Sequence, residues 1–332
     1  MGCAFMEIVF KAMLAVLCLM LIVCGCGGTE NIGGQSDVLS IDETVSSTPS
    51  LEEVSSVVPE EPSSSEGTSS TETVSSKVSV PSDVPIGGTH YIGKLYTERE
   101  LLALDNTKRG YGHGSKKDSD NRPTGATWAQ SKFGKYNAVF IAPKSEYIYL
   151  TFDLGYENGY TEKILDVLKE KNAKGVFFVT KSYCKSSPNI VKRIIDEGHV
   201  LGNHSVKHKS MPTLSLSEMQ KEIMDLHDYI KETYNYEMTL FRPPMGEYSE
   251  RSLALTQSLG YQSMLWSFAY MDWDTEDQPE ITYAKNKMLN DAHGGAIYLI
   301  HAISKTNAEI LGEVIDGMRE KGYKTAKYEV IK

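Results

Sequence analysis

Two histidines four residues apart are the sharpest chemical signal in the 332-residue sequence. His204 and His208 lie in the segment NHSVKH, which begins within an apolar run that predicts a strand. Two imidazoles at this spacing, at the start of a helical turn, can bind one divalent ion at Zn–N distances of roughly 2.0–2.1 Å. Taken alone, the spacing is more typical of a pair of surface histidines. The polar groups at other strand ends favour the metal-binding interpretation.

Four more residues at predicted strand ends are suited to acid–base chemistry. Asp153 directly follows the apolar run YIYLTF. Arg242 precedes two prolines, which make a rigid strand exit, and a guanidinium held there can keep a carboxylate ionised. His301 emerges from the apolar run AIYLI, and with Asp272 as its partner it becomes a candidate general acid. Trp273 would form an apolar wall beside them. Each of these residues, taken singly, also fits a structural role.

The elements that position these residues alternate between apolar runs and segments of helical period. The predicted strands are 147–152, 175–180, 199–205, 238–243, 262–268, 296–301 and, weakly, 325–330. The predicted helices are 161–172, 187–197, 215–235, 249–259, 282–292 and 305–321. Apolar strands that alternate with helices indicate a parallel sheet covered by helices.

The fold class is therefore predicted to be α/β, as a distorted or incomplete (β/α) barrel of about seven units over residues 147–332. Such a barrel assembles its active site at the carboxyl ends of its strands, where the candidate residues fall. An open doubly wound sheet is the alternative, although no Gly-rich phosphate turn follows the first strand. Residues 91–146 are predicted to form an irregular N-terminal lead with a short helix near 98–104.

The N-terminus predicts export. Residues 8–23 form an apolar run whose one charge is Lys11, and small residues follow it up to Cys26. This pattern is typical of a secretory signal, and it resembles a lipoprotein-type signal over residues 1–26 with Cys26 as the acylated residue. A plain transmembrane anchor is the alternative. Both interpretations place the remaining chain outside the cytoplasmic membrane, facing the cell wall.

Residues 27–90 predict a disordered linker. Ser, Thr, Glu and Pro dominate this stretch, which cannot bury enough apolar surface to offset its ordering entropy. It contains eleven acidic residues and one lysine, whereas residues 91–332 carry 32 acidic and 32 basic residues. No basic field therefore argues for nucleic acid as a partner. Cys184 is the one cysteine after residue 26, so no internal disulfide is expected.

Five ordered motifs resemble those of the polysaccharide deacetylase family, which carries the NodB homology domain and forms carbohydrate esterase family 4. They are TFD-x-G, NHS-x-x-H, RPP-x-G, the DW of WSFAYMDW, and LIH, and they span about residues 147–332. The longer strings TFDLGYENGYT and GNHSVKH are most similar to the delta-lactam-biosynthetic de-N-acetylases. The resemblance implies metal-assisted de-N-acetylation of N-acetylmuramic acid in peptidoglycan, in delta-lactam formation and with a role in sporulation.

The resemblance also implies a role for each residue of the acid–base set. Asp153 would be the general base, held by Arg242. His301 would be the general acid, tuned by Asp272. Met245 would give its backbone N–H to the oxyanion, and Trp273, as an apolar wall, would contact substrate.

The same resemblance raises one discrepancy. His204 and His208 would be metal ligands, but the family usually has a second aspartate where this chain has Leu154. Leucine cannot coordinate an ion, so the metal, expected to be zinc with cobalt or manganese as alternatives, would be weakly held. Glu157 is a neighbouring acid that would have to reach the ion to replace the lost ligand. Restoring the carboxylate, as Leu154→Asp, should tighten metal binding tenfold or more.

Three functions remain open at this stage. The first is a peptidoglycan de-N-acetylase that acts on muramic acid, and the second is a related deacetylase that acts on N-acetylglucosamine, chitin-type oligomers or O-acetyl esters. The third is a non-catalytic wall-binding protein with a crippled metal site. The expected partners are glycan strands and, through the N-terminal anchor, the membrane. The protein is expected to be a monomer.

Overall fold

The computed structural model describes residues 81–87 and 94–330. The predicted signal 1–26, with Cys26, and most of the predicted linker 27–90 lie outside these residues. Within the described part, none of the helices combines the length and apolar character required to cross a bilayer. The end of the predicted linker is structured, because a strand at Pro85–Ile86 pairs with one at Tyr96–Thr97. Regular structure therefore begins before residue 91.

The described residues form short and long strands and mostly amphipathic helices. The strands are β1 (Pro85–Ile86), β2 (Tyr96–Thr97), β3 (Arg109–Gly110), β4 (Ala138–Val139), β5 (Tyr147–Leu154), β6 (Gly175–Val179), β7 (Val200–Asn203), β8 (Leu240–Phe241), β9 (Glu247–Tyr248), β10 (Gln262–Met264), β11 (Ala296–His301) and β12 (Lys324–Thr325). The helices are α1 (Glu98–Ala103), α2 (Thr124–Phe133), α3 (Thr161–Glu170), α4 (Lys181–Ser186), α5 (Pro188–Asp196), α6 (Leu216–Tyr234), α7 (Glu250–Ser258), α8 (Ile281–Asn290) and α9 (Lys305–Glu320).

The main sheet is parallel and curls into a barrel. Its strand order is β11-β5-β6-β7-β8-β10-β4, with β12 beside β5. Beyond β10 the chain forms a parallel bridge between Phe268 and Tyr298 of β11, so the segment that follows β10 lies beside β11. The predicted distorted (β/α) barrel is confirmed.

Packing on both faces of the barrel sheet explains why the strands are continuous apolar runs. Phe152 of β5 stacks on Phe177 of β6 with ring centroids 4.8 Å apart, and both are fully buried. On the other face of the sheet, the Phe178 ring lies against Gly202 of β7. A Cβ atom at Gly202 would come within 2.5 Å of Phe178 Cδ1. A side chain at Gly202 would therefore push Phe178 off the sheet. These contacts fix the register of the strands that carry the site.

The six predicted helices of the barrel are confirmed, with bounds that differ by at most two residues. α6 begins at a capping box in which Ser215 and Glu218 satisfy each other's backbone N–H groups. The sequence missed α4, a helix of six residues that begins directly after β6. Several strands are shorter than predicted; β8 and β12 have two residues each.

The N-terminal lead is less irregular than expected. It contains α2, and β4 at its end pairs in parallel with β10, so the lead supplies an edge strand of the barrel sheet. α1 is anchored by Arg251 of α7, whose guanidinium donates to the carbonyl oxygens of Leu101, Leu102 and Leu104 at 3.1, 2.9 and 3.2 Å. Carbonyls in the last turn of a helix lack helical N–H partners, although the Leu101 carbonyl here also accepts from the Leu104 N–H at 3.1 Å.

Arg251→Ala should lower the free energy of unfolding by about 2 kcal/mol, since it removes hydrogen bonds from a charged donor to three carbonyls. Arg251→Lys keeps the charge with fewer directed donors and should lose about half as much. Urea denaturation of both variants measures the effect, and faster amide exchange confined to α1 should accompany it. A change of less than about 0.5 kcal/mol in Arg251→Ala would show that α1 does not depend on this contact.

Candidate active site

The carboxyl ends of the barrel strands open into one cavity of about 790 Å³. Asp153, His204, His208, Met245, Trp273 and His301, all predicted from the sequence, line it. Arg242 and Asp272 lie behind the wall, where they are 0% and 1% exposed. The structure thus brings together every residue predicted for the catalytic and metal sites.

A buried ion pair fixes the carboxylate at the mouth of β5. Arg242 Nη1 donates to Asp153 Oδ1 at 2.6 Å. The other nitrogens of the guanidinium donate to Thr151 Oγ1 at 2.7 Å and to the Met264 carbonyl at 3.1 Å. The Arg242 guanidinium carbon also lies 4.1 Å from the centre of the Phe178 ring. The arginine is therefore held by three strands, and it presents one fixed N–H to the carboxylate.

This pair determines the charge of Asp153. Burial alone would raise the pKa of Asp153, but the positive charge of Arg242, with smaller contributions from His204 and His301, lowers the pKa below its ordinary value. The carboxylate is therefore ionised at neutral pH. Its Oδ2 atom, which is not used by Arg242 Nη1, lies 3.5 Å from His204 Nε2 and faces the cavity side of the pair. An ionised carboxylate in this position can accept a proton.

A second carboxylate–cation pair lies at the end of the neighbouring strand β11, where His301 is the ladder partner of Asp153. His301 Nδ1 donates to Asp272 Oδ1 at 2.7 Å, and the backbone N–H of His301 donates to Asp272 Oδ2 at 2.8 Å. Asn307 Nδ2 donates to the same Oδ2 atom at 2.7 Å. Burial would lower the pKa of His301, but the hydrogen bond and charge of Asp272 outweigh it and raise the pKa. His301 can therefore act as a proton donor.

The two predicted metal ligands converge on each other. His208 Nε2 lies 3.2 Å from His204 Nε2. His204 Nδ1 lies 2.9 Å from the Arg242 carbonyl oxygen, which can only accept, so Nδ1 carries the proton and Nε2 presents a lone pair. Burial lowers the pKa of His204 to about 4 and also lowers the pKa of His208. Both imidazoles are therefore neutral, as metal ligands must be.

The loop that carries the two imidazoles is not the helical turn expected from the sequence. Ser205 and His208 have positive φ angles of 71° and 54°. Asn203 Oδ1 accepts from the Ser205 N–H at 2.8 Å, and Ser205 Oγ accepts from the His208 N–H at 2.8 Å. These local side-chain bonds replace helical ones. The four-residue spacing alone does not determine this loop conformation, in which the two Nε2 atoms lie 3.2 Å apart.

The histidine pair fits a divalent ion. Two nitrogens bound to one tetrahedral zinc at about 2.0–2.1 Å lie roughly 3.3 Å apart, close to the separation found here. The bond from His204 Nδ1 to a backbone carbonyl is the usual second-shell partner of a metal-bound imidazole. In the described residues, no group of three or more His, Cys, Asp or Glu side chains is arranged to hold an ion. The part of the chain that the structure describes thus offers two suitable ligands and no complete set.

The two positions considered for a third ligand do not supply one. Leu154 is fully buried in the apolar core. Glu157 is occupied elsewhere, since its oxygens accept from Thr161 Oγ1 at 2.6 Å, Tyr183 Oη at 2.8 Å and the Gly159 N–H at 2.7 Å. These bonds cap the start of α3, which has no side-chain cap at its own first position. The idea that Glu157 replaces the missing ligand is therefore wrong.

Met245 and Trp273 form exposed parts of the cavity wall. Met245 has φ 58° and ψ 10°, a left-handed conformation that is uncommon for a residue other than glycine. Such local strain concentrates at functional sites. The Trp273 ring packs edge-on to His301 with centroids 6.0 Å apart. The assignment of the Met245 N–H to the oxyanion and of Trp273 to substrate contact stays a prediction.

Residues outside the site have ordinary structural roles. His199 accepts from the Gly175 N–H, and His293 bonds to Ser267 Oγ, each within hydrogen-bond distance. Burial raises the pKa of the Cys184 thiol to about 12, so this cysteine is not a nucleophile. The sequence reading missed Thr151 and Asn307, which orient the two charged pairs. The signal for Thr151 is its place two residues before Asp153, on the same face of β5. The signal for Asn307 is its place in the first turn of α9, close after His301.

Comparisons with known proteins agree with this arrangement. A family model for polysaccharide deacetylase matches residues 141–264. The peptidoglycan-N-acetylmuramic acid deacetylase PdaA of Bacillus subtilis is 41% identical over 213 residues, which cover 63% of this chain and 81% of PdaA. A peptidoglycan-N-acetylglucosamine deacetylase of Bacillus cereus is 32% identical over 194 residues, which cover 57% of this chain and 69% of that protein.

Solved structures give the same result. The structure of Bacillus subtilis PdaA, a family 4 carbohydrate esterase, aligns with a TM-score of 0.64 at 37% identity and covers 67% of this chain and 96% of that one. A pseudoenzyme of the same esterase family from Bacillus anthracis aligns with a TM-score of 0.51 at 27% identity, covering 56% of this chain and 66% of that one. From its barrel, its paired acid–base residues and these relatives, the chain belongs to the polysaccharide deacetylase family of hydrolases, carbohydrate esterase family 4.

Proposed function

We propose that this protein removes the N-acetyl group from N-acetylmuramic acid in peptidoglycan, as a step in delta-lactam formation. The observation that carries the proposal is the complete acid–base set around one cavity: Asp153 ionised by Arg242 and His301 charged by Asp272. Two relatives support the substrate class, since both are named as deacetylases of peptidoglycan amino sugars. The higher identity to the muramic acid enzyme favours that sugar.

The side chains of the cavity account for the proton movements of amide hydrolysis. Asp153 accepts a proton from the attacking water, whose oxygen forms the new bond to the acetyl carbon. His301 donates its proton to the sugar nitrogen as the carbon–nitrogen bond breaks, so acetate and a free amine leave. His204 and His208 would hold a divalent ion, zinc or else cobalt or manganese, which when bound would polarise the carbonyl and acidify the water. In this proposal the Met245 N–H would stabilise the oxyanion.

The sequence of the N-terminal segment supports a proposal for the location. We propose an extracytoplasmic protein, anchored in the membrane through acylated Cys26 and acting as a monomer on glycan strands of the wall. A linker of about 60 residues has an r.m.s. span of roughly 40–50 Å, which suits a tethered enzyme that must reach its substrate. A place in sporulation is part of the proposal and is supported by the resemblance to the delta-lactam group.

A second function is favoured by one specific observation. Leu154 removes the anionic ligand usual in the family, and a pseudoenzyme is known among the structural relatives. A protein that binds wall glycans without hydrolysing them would keep the cavity and lose the ion. The two functions differ in whether acetate is released.

Acetate release from peptide-free muramic acid glycans tests the proposed function. With excess zinc or cobalt, the protein should release acetate, and Asp153→Asn should slow the reaction at least about a hundredfold, the usual contribution of a general base. Asp196→Asn, on the exposed face of α5, is the matched control and should leave the rate unchanged.

No acetate from the parent protein, together with equal retention of peptidoglycan by the parent and Asp153→Asn, would establish the wall-binding function instead. Product masses from muramic acid and glucosamine oligomers identify the sugar. Turnover of the glucosamine oligomer alone, or of an O-acetyl ester alone, would assign the protein to another deacetylase of the family.

Asp272→Asn should move the alkaline limb of the kcat/KM profile to lower pH by about one unit, because loss of a neighbouring charge shifts a pKa by roughly 1–3 units. The sign follows from the raised pKa of His301: the acid stays protonated as pH rises through the ordinary histidine range, and activity falls only above the raised value. The stabilising contribution of the pair has the same sign and is lost as pH rises through that value.

Asp274→Asn is the matched control for this profile, since Asp274 is an exposed residue of the same loop. It should leave the alkaline limb where it is. A limb that does not move in Asp272→Asn, in a variant that melts at the temperature of the parent, would exclude His301 as the group that titrates there.

Leu154→Asp should tighten zinc binding at least about tenfold, because the family resemblance implies an anionic metal ligand at this position. The metal-free variant should melt at a lower temperature than the parent, since a carboxylate replaces a fully buried leucine. Zinc should raise its melting temperature more than that of the parent. Leu154→Asn, with a neutral oxygen, is the control and should fall between the two. Equal zinc affinities by calorimetry would show that position 154 does not reach the ion.

A further inference from the structure

Lys207 is a charged residue of the cavity that the proposed reaction does not use. It lies between the two imidazoles in the sequence and lines the same cavity. Among the described residues it forms no ion pair, and the two carboxylates at the site are already paired, Asp153 with Arg242 and Asp272 with His301. The ammonium of Lys207 is therefore available to an anion that enters the cavity.

The backbone of Lys207 is fixed although its side chain is exposed. Glu222 of α6 is 7% exposed, and its Oε2 atom accepts from the Lys207 N–H at 2.7 Å. The carbonyl of the same glutamate accepts from the Val206 N–H at 3.0 Å. A charged acceptor thus holds this part of the loop to the helix. The lysine keeps its position at the cavity rim, and only its side chain is free to adjust to a ligand.

The one other cationic side chain that lines the cavity in the described residues is His301, and Asp272 already pairs with it. Tyr156, Met245, Trp273 and Ile303 give the cavity largely apolar walls, and Lys207 is the one lysine or arginine among its described lining residues. An apolar cleft with a single ammonium is suited to a sugar that carries one carboxylate. The two amino sugars of peptidoglycan differ in this group, because muramic acid bears a 3-O-lactyl carboxylate and glucosamine a hydroxyl.

We propose that Lys207 is a specificity-determining residue, which binds the lactyl carboxylate of N-acetylmuramic acid when no peptide is attached to it. The inference rests on the proposed function for its substrate class and adds the residue that selects between the two sugars. Lysine at an open rim acts as a mobile point charge, so the pair is partly exposed and weakened by salt. Its contribution is to sugar selection more than to the chemical step.

Binding to the metal-free full chain tests this inference without turnover. Calorimetry compares a peptide-free muramic acid tetrasaccharide with the same oligomer whose lactyl carboxylates are converted to carboxamides. The parent should bind the carboxylate form about fivefold more tightly, the upper end for a partly exposed ion pair, and the preference should shrink as sodium chloride is raised. Lys207→Gln should bind both forms equally.

Lys209→Gln is the matched control, because Lys209 is exposed on the same loop and does not appear among the residues of the cavity wall. It should keep the preference of the parent. The inference is overturned if Lys207→Gln keeps the preference, or if the parent has none or binds neither oligomer. Selective binding by the parent without any release of acetate would leave the role of Lys207 standing and would refute the proposed hydrolysis.

Discussion

The ion pair between Asp153 and Arg242 is the constraint on which the rest of the site depends. A fully buried guanidinium must be neutralised and its donors satisfied, and breaking such a pair costs roughly 3–5 kcal/mol. Arg242 meets this requirement by joining β8 to Thr151 and Asp153 of β5 and to the Met264 carbonyl of β10. Its own carbonyl orients His204. One residue therefore sets the charge of the proposed base and the tautomer of a proposed metal ligand.

The site contains every residue of the proposed acid–base set, whereas the proposed metal site has two imidazoles and no third ligand among the described residues. Asp153 and His301 are partners across the β5–β11 ladder, so the barrel register places the base and the acid side by side at one rim. Each is tuned by its own buried partner. Neither pair involves Leu154, which explains why its replacement of the usual aspartate leaves the proton-transfer groups intact. In this account Leu154 lowers the affinity for a divalent ion, because the two neutral imidazoles would have to bind the ion without an anionic ligand.

The sequence predicts the barrel and the composition of the site because both depend on pattern: apolar strands, helical periods and polar residues at strand ends. It fails where geometry depends on a few local bonds. The conformation of the loop 204–208 follows from Asn203 and Ser205 side chains that compete with helix formation, and the use of Glu157 as a helix cap follows from contacts with Thr161 and Tyr183. The edge strand β4 has two residues, too few to leave a pattern in the sequence.

Anomalous diffraction from a zinc-soaked crystal tests the central claim most directly, since it locates the ion relative to both imidazoles and the base. The account predicts one strong zinc peak at about 2.0–2.1 Å from Nε2 of both His204 and His208, with the Asp153–Arg242 pair intact beside it. Zinc bound at another place, with the two imidazoles separated and Asp153 turned away from them, would contradict the account.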